Sequence, residues 1–256
     1  LPRVYILHGD LSEKHQAAIQ ELFREIEFIF HKANLRQFCG FRELHGEVVS
    51  YAKLLIPSIV SPSEQFVLYL DADVVVRKDL GKYPFSECAG RCISAVVAGK
   101  AESSLDWPLY REAGFDRDEK VFNSGVLLFN ANRCRHFELL RKAIEAQHLY
   151  PIRRSADQPL FNIVFRGIAG SLPHSFNLHA GANKNLPDKN IEGIFHFVGS
   201  PKPWDAFGRC LHQNYEVFHE ELRDLGVPWK QLAGRSSWRN LCRTGFVFDH
   251  IGMPCA

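Results

Sequence analysis

The chain has 256 residues, 46% hydrophobic and 23% charged, enough to bury one large globular core or one core with an appendage. A formal net charge of +2 sets up no overall field of the kind nucleic-acid binders carry, so no nucleic-acid partner is expected and any basic patch must be local. No apolar run approaches the ~20 residues that span a bilayer, and the opening "LPRVYILHG" lacks the charged-apolar-small layout of a signal peptide. The seven cysteines are odd in number and contain no C-x-x-C pair, which predicts a reducing compartment and hence a cytoplasmic protein. The chain opens at Leu1 without a methionine, and a segment upstream is expected.

In chain order, "RVYILHG" is a short continuous apolar run, as in a strand covered on both faces. Ser12 then stands as a helix N-cap before Ile19, Leu22, Phe23 and Ile26 at helical spacing, and "FIF" at 28–30 reads as a second strand. Further buried strands are predicted at Phe66 to Leu70, at "CISAVVAG" (92–99) and at "SGVLLFN" (124–130), with helices near 48–60, 135–147, 158–166 and 209–224. Short buried strands alternating with amphipathic helices argue for an α/β fold of three layers, a mostly parallel sheet with helices on both faces. In such sheets ligands gather at the carboxyl ends of the strands.

"LYLDADVVV" places Asp71, Ala72 and Asp73 at such an end. Strand residues two apart point the same way, so the two carboxylates can converge, and their mutual repulsion calls for a cation between them. Hard oxygen ligands favour magnesium, manganese or calcium. A turn whose aspartates cap backbone N–H groups is the competing reading. "HFVGSPKPW" (196–204) ends a strand-like run on His196, whose imidazole would complete a facial ligand set and favour manganese over magnesium. Lys202 between two prolines is a cation at a fixed place suited to a diphosphate, and Gly199 lets the backbone come close to it. By residue chemistry alone, Ser155 and Gln158 read as a capping box with Asp157 in the first helical turn. Asn123 and Ser124 before Gly125 read equally well as turn residues.

Taken in order, "SYAKLLIP" (50–57), "LYLDADVVV" (68–76), "FNSGVLLFN" (122–130), "ADQPLFN" (156–162) and "HFVGSPKPW" resemble the family-8 glycosyltransferases across about residues 3–210. The resemblance implies a retaining enzyme of the Rossmann-like GT-A fold that moves a hexose, galactose or glucose, from a UDP-sugar to a glycan or lipid-linked glycan. It implies Mn2+ as cofactor, Mg2+ as the alternative, held by Asp71, Asp73 and His196. Gly199 and Lys202 would meet the donor diphosphate, and Lys53 stands where the family usually has an arginine near the nucleotide sugar. Asn123, Asp157 and Gln158 would line the sugar pocket together with Ser124, with Gln158 and Asp157 as the catalytic pair. Lipopolysaccharide biosynthesis is the bacterial setting of such enzymes.

The same resemblance places the family's first strand before Leu1, and it finds "AVVAGK" where the family carries a donor-sugar aspartate. Residues 1–226 are then the catalytic domain and 227–256 a C-terminal helical tail. In that tail Arg235, Arg239 and Arg243 fall on one helical stripe, with Trp238, Leu241 and Cys242 between them and Trp229, Phe246 and Phe248 at the ends. Such a segment, 229–248, either packs on the domain or lies peripherally on the inner face of an anionic membrane. A metal-dependent nucleotidyltransferase and a non-catalytic nucleotide-sugar-binding relative are the rival classes.

Overall fold

The computed structural model describes residues 3–44, 47–183, 186, 191–205 and 207–226. The elements in chain order are β1 (Arg3–His8), α1 (Glu13–Leu22), β2 (Glu27–Lys32), α2 (Ile56–Ile59), β3 (Phe66–Leu70), β4 (Val74–Arg77), β5 (Ile93–Lys100), α3 (Trp107–Glu112) and β6 (Lys120–Asn130). They continue with α4 (Ala131–His136), α5 (Leu139–Leu149), α6 (Asp157–Val164), β7 (Gly170–Ser171), β8 (Leu178–His179), β9 (Gly193–His196), α7 (Gly208–Leu211) and α8 (Tyr215–Asp224). None of the described helices is long and apolar enough to cross a membrane.

The chain forms two compact units. Among the described residues, the first comprises the chain up to Tyr69 and Pro84–Leu172, and the second comprises Leu70–Tyr83 and the chain from Pro173 on. In the first, β1 and β2 pair in parallel, from Arg3 opposite Glu27 to His8 opposite Lys32. The expected N-cap makes the connection: Ser12 accepts the His15 N–H and starts α1. A second sheet runs in the order β3-β6-β5-β7. Its core includes Tyr51, Leu54, Leu127, Phe129, Leu160, Phe161 and Phe165. In the second unit the order is β4-β9-β8, with Phe176, Phe195 and Phe197 fully buried.

The α/β class holds, with mixed pairing. β5 runs antiparallel to β6 and β4 antiparallel to β9, whereas β5–β7 and β8–β9 are parallel. Three expected helices are interrupted. The 48–60 segment is 3-10 over Val49–Leu55 and α-helical only over Ile56–Ile59, because Pro57 has no N–H to bond the Lys53 carbonyl one turn back. The 135–147 helix divides at Glu138, whose φ of 56° breaks the ladder between α4 and α5. The 209–224 helix divides into α7 and α8 around His212 and Asn214. The tail expected at 227–256 lies outside the described residues.

Candidate functional site: an Asp-x-Asp turn with histidine and lysine, and a carboxylate-amide cluster

Asp71 and Asp73 do not sit within a strand. They occupy the turn that leaves β3 and enters β4, with Ala72 exposed at its tip. Their convergence therefore comes from the turn and from pairing rather than from strand alternation. Val74 lies opposite His196 in the β4–β9 ladder, and the Phe197 N–H donates to the Asp73 carbonyl at 2.9 Å, which sets the turn against the end of β9. His196 Nε2 lies 3.2 Å from Asp73 Oδ1 and 3.9 Å from Asp71 Oδ2. The three ligand atoms lie within 4.8 Å of one another.

The imidazole is oriented by a residue that no sequence pattern singled out. Asn177, immediately before β8, holds His196 Nδ1 through its Oδ1 at 3.1 Å in a buried contact. An amide oxygen only accepts, so Nδ1 carries a proton, and Nε2, the nitrogen facing the carboxylates, hydrogen-bonds Asp73 here and would offer its lone pair to a cation bound there. Two carboxylates and an imidazole with a second partner behind it suit Mn2+ or Mg2+, the imidazole favouring manganese. The residues thus fit the cation that the fold family implies.

Lys202 adds a positive charge on the other side of Asp73. Its ammonium donates to Asp73 Oδ2 and to the Phe197 carbonyl. Its backbone is set by a local turn in which the Lys202 N–H donates to Asp205 Oδ2 at 2.7 Å. Burial pushes the Asp73 carboxyl up, but its hydrogen bond with His196 and the Lys202 charge outweigh that and hold it well below the usual carboxylate range. Asp73 is thus ionised across the physiological range, ready to bind a cation. Gly199 has φ +77°, a left-handed conformation that explains the glycine; a Cβ there would meet nothing within 4 Å. At Gly208, a Cβ would sit 2.2 Å from the Pro203 carbonyl oxygen, so the segment carrying Lys202 closes only over a glycine.

In the first unit, a separate cluster gathers Lys53, Asn123, Ser124, Asp157 and Gln158. β6 begins at Lys120 rather than at Ser124 and bulges where these residues stand. Ala95 pairs with Leu127 and Val97 with Phe122, so the four β6 residues between those pairs face only Val96 of β5. The expected turn chemistry appears inside the bulge, as Asn123 Oδ1 accepts the Gly125 N–H at 2.9 Å. Asn123 also donates its amide N–H to Gln158 Oε1 at 2.9 Å. The capping box does not form. The N-cap of α6 is Ala156, and Ser155 turns away to bond both carboxylate oxygens of buried Asp106, through its N–H and its hydroxyl. Asp157 and Gln158 are thereby released from capping. Asp157 Oδ2 accepts from the Ser124 hydroxyl at 2.7 Å and pairs with the Lys53 ammonium at 2.9 Å.

Asn162, one turn further along α6, grips both backbone groups of Phe122. It accepts the N–H and donates to the carbonyl, each at 2.9 Å, and donates to the Gln158 carbonyl at 3.0 Å. Sequence reasoning missed Asn162 as a functional support, although it closes the "ADQPLFN" run and its spacing from Gln158, i to i+4, puts both on one helix face. Asn177 and Asp106 offered no such signal, since each becomes meaningful only through a partner brought near by folding.

An Asp-x-Asp turn backed by a histidine on the adjacent strand, in an α/β fold, is a candidate metal site of the kind GT-A proteins carry. The profile of glycosyl transferase family 8 matches residues 1–208, and the chain belongs to that family. A probable glycosyl transferase of Streptococcus gordonii is 28% identical over 174 residues, covering 66% of this chain and 23% of the relative. The lipopolysaccharide 1,3-galactosyltransferase of Salmonella typhimurium is 29% identical over 196 residues, 72% of this chain and 56% of the relative. The chain thus spans about a quarter to just over half of these relatives' length. The GT-A fold is shared with the galactosyltransferase LgtC, solved in complex with donor and acceptor sugar analogues, at a TM-score of 0.69 and 23% identity over 87% of this chain and 88% of that one.

Proposed function

We propose that the protein is a retaining, metal-dependent glycosyltransferase that moves a hexose, galactose or glucose, from a UDP-sugar to a glycan or lipid-linked glycan. The convergence of Asp71, Asp73 and His196 within 4.8 Å, in a chain of family 8, carries this reading. These three residues would hold Mn2+, with Mg2+ as the alternative. When bound, the cation supplies Lewis-acid stabilisation of the charge that gathers on the departing diphosphate.

The remaining roles fall to the chain's own groups. As the C1–O bond breaks, the electron pair leaves with the UDP oxygen and the anomeric carbon becomes oxocarbenium-like. Lys202 is assigned to the diphosphate, with the backbone at Ala72 and Gly199 beside it. Asn123 and Gln158 are assigned to hydroxyls of the sugar, their side-chain amides each having donor and acceptor capacity. The Asp157 carboxylate is assigned to the positive face of the reacting sugar, held in place from behind by Ser124.

A screen of UDP-sugars for manganese-dependent hydrolysis without acceptor tests the reading. One UDP-hexose released at a rate that collapses on chelation is expected. Calorimetric binding of UDP with manganese, but no release or transfer with any sugar or acceptor, would instead favour a non-catalytic relative. The acceptor side includes peripheral contact of 229–248 with an anionic membrane from the cytoplasmic face. Deleting 229–256 should then reduce liposome binding, and unchanged binding removes that contact.

A further inference from the structure

The family position of Lys53 suggests a direct donor contact, but its surroundings assign the side chain elsewhere. Lys53 is fully buried, at 1% exposure. Its ammonium pairs with Asp157 Oδ2 at 2.9 Å, donates to the Ser124 carbonyl at 3.0 Å and lies 4.6 Å from the centre of the Tyr69 ring. An ammonium has three N–H donors and one point charge, and its contacts here include one carboxylate, one carbonyl and one ring face. Swinging it out to a phosphate would leave the buried Asp157 carboxylate unpaired, a loss of the kind that makes half-broken buried pairs strongly unfavourable.

Both named contacts to Asp157, from Lys53 and from the Ser124 hydroxyl, fall on the same oxygen, Oδ2. Two donors on one oxygen fix the carboxylate's rotation and direct Oδ1 away from the pair. The backbone beneath is fixed as well, because Asn162 locks Phe122 of β6 to α6 and Lys53 binds the carbonyl of Ser124 two residues on. We infer that Lys53 is a positioning residue: a buried cation that sets the Asp157 carboxylate for the reacting sugar and does not itself touch the donor. The inference rests on the glycosyltransferase reading and deepens it, by predicting that Lys53 governs turnover rather than donor affinity.

The test is a cycle of Lys53→Met, Lys53→Arg, Asp157→Asn and Lys53→Met with Asp157→Asn, read by steady-state donor hydrolysis. Lys53→Met should lower kcat about 100-fold, the order expected when a reacting group is misplaced by about 1 Å, with donor KM changed less than about 3-fold, the shift of a lost uniform contact being absent. Lys53→Arg, which keeps the charge, should recover most of that loss. In the double variant, kcat should match that of Asp157→Asn alone, because a neutral amide no longer needs the cation. This last comparison stands even where Lys53→Met fails to fold, since the double variant leaves no buried charge unpaired. A raised donor KM with unchanged kcat, or losses that multiply in the double variant, overturns the inference while leaving the glycosyltransferase reading intact. No donor turnover by the unmodified protein fails that reading, and the inference falls with it.

Discussion

Replacing Asn177 by leucine removes the acceptor behind the His196 imidazole, and the structure sets the size of the effect. Both residues are buried, Asn177 at 2% and His196 at 4% exposure, and their contact is 3.1 Å. The variant has two outcomes for the ring. Either the Nδ1–H stays and loses its partner in a buried place, costing about 1–3 kcal/mol, or the proton moves to Nε2, the nitrogen that faces Asp71 and Asp73. In the second case the lone pair that would bind a cation is lost. Both penalties fall on the cation-bound state, so Mn2+ affinity should drop about 10–100-fold, the usual range for a residue behind a metal-binding histidine, or roughly 1.4–2.7 kcal/mol. Calorimetric titration of Mn2+ at saturating UDP measures this directly. Asn177→Asp keeps an acceptor oxygen and should bind within a few-fold of the unmodified protein. Leucine at 177 with unchanged Mn2+ affinity would refute the role given to Asn177 and, with it, the tautomer assigned to His196.

Two further predictions concern stability. Burial, and then the nearby Lys202 charge, pull the His212 imidazole down from 6.5 to about 4. The folded protein therefore keeps His212 neutral where the unfolded chain protonates it, so stability is full above pH 6.5 and falls as pH drops from 6.5 towards 4, by about 3 kcal/mol in total at 1.36 kcal/mol per unit. Urea unfolding at pH 7 and pH 5 should show the loss, and His212→Gln should flatten it; a variant as acid-sensitive as the parent contradicts the assignment. Tyr51 is fully buried, and its hydroxyl has no hydrogen-bond partner among the described residues. Tyr51→Phe should leave thermal stability unchanged or raise it by up to about 1 kcal/mol, whereas a clear loss would reveal a partner for that hydroxyl.

Much of the fold could be read from the chain because burial writes itself into apolar runs. "RVYIL", "FVLYL", "AVV" and "GVLLF" are strands in the structure, and Ser12 caps the helix it precedes. What stayed hidden was long-range. Antiparallel pairing of β5 with β6 and of β4 with β9 leaves no mark on hydrophobic period, which reports burial and not partner direction. Helix breaks were missed where one residue decides, as at Pro57 and Glu138.

Site residues divide in the same way. The convergence of Asp71, Asp73 and His196 was legible because a charge pair in an apolar run and a histidine ending a later strand-like run could share a cation, although the geometry that joins them is a turn and not a strand. The Ser155–Gln158 spacing misled, because Asp106, 49 residues away, competes for Ser155 and the capping box never closes. No local pattern can announce such a competitor.

The central claim is that Asp71, Asp73 and His196 hold the cation on which sugar release depends. The most direct measurement counts bound Mn2+ by paramagnetic resonance, alongside UDP-sugar hydrolysis, in the unmodified protein, Asp73→Ala and His196→Ala. The account predicts one bound Mn2+ per chain with chelator-sensitive turnover, and loss of both in each variant. Full manganese-stimulated turnover in either variant would contradict it.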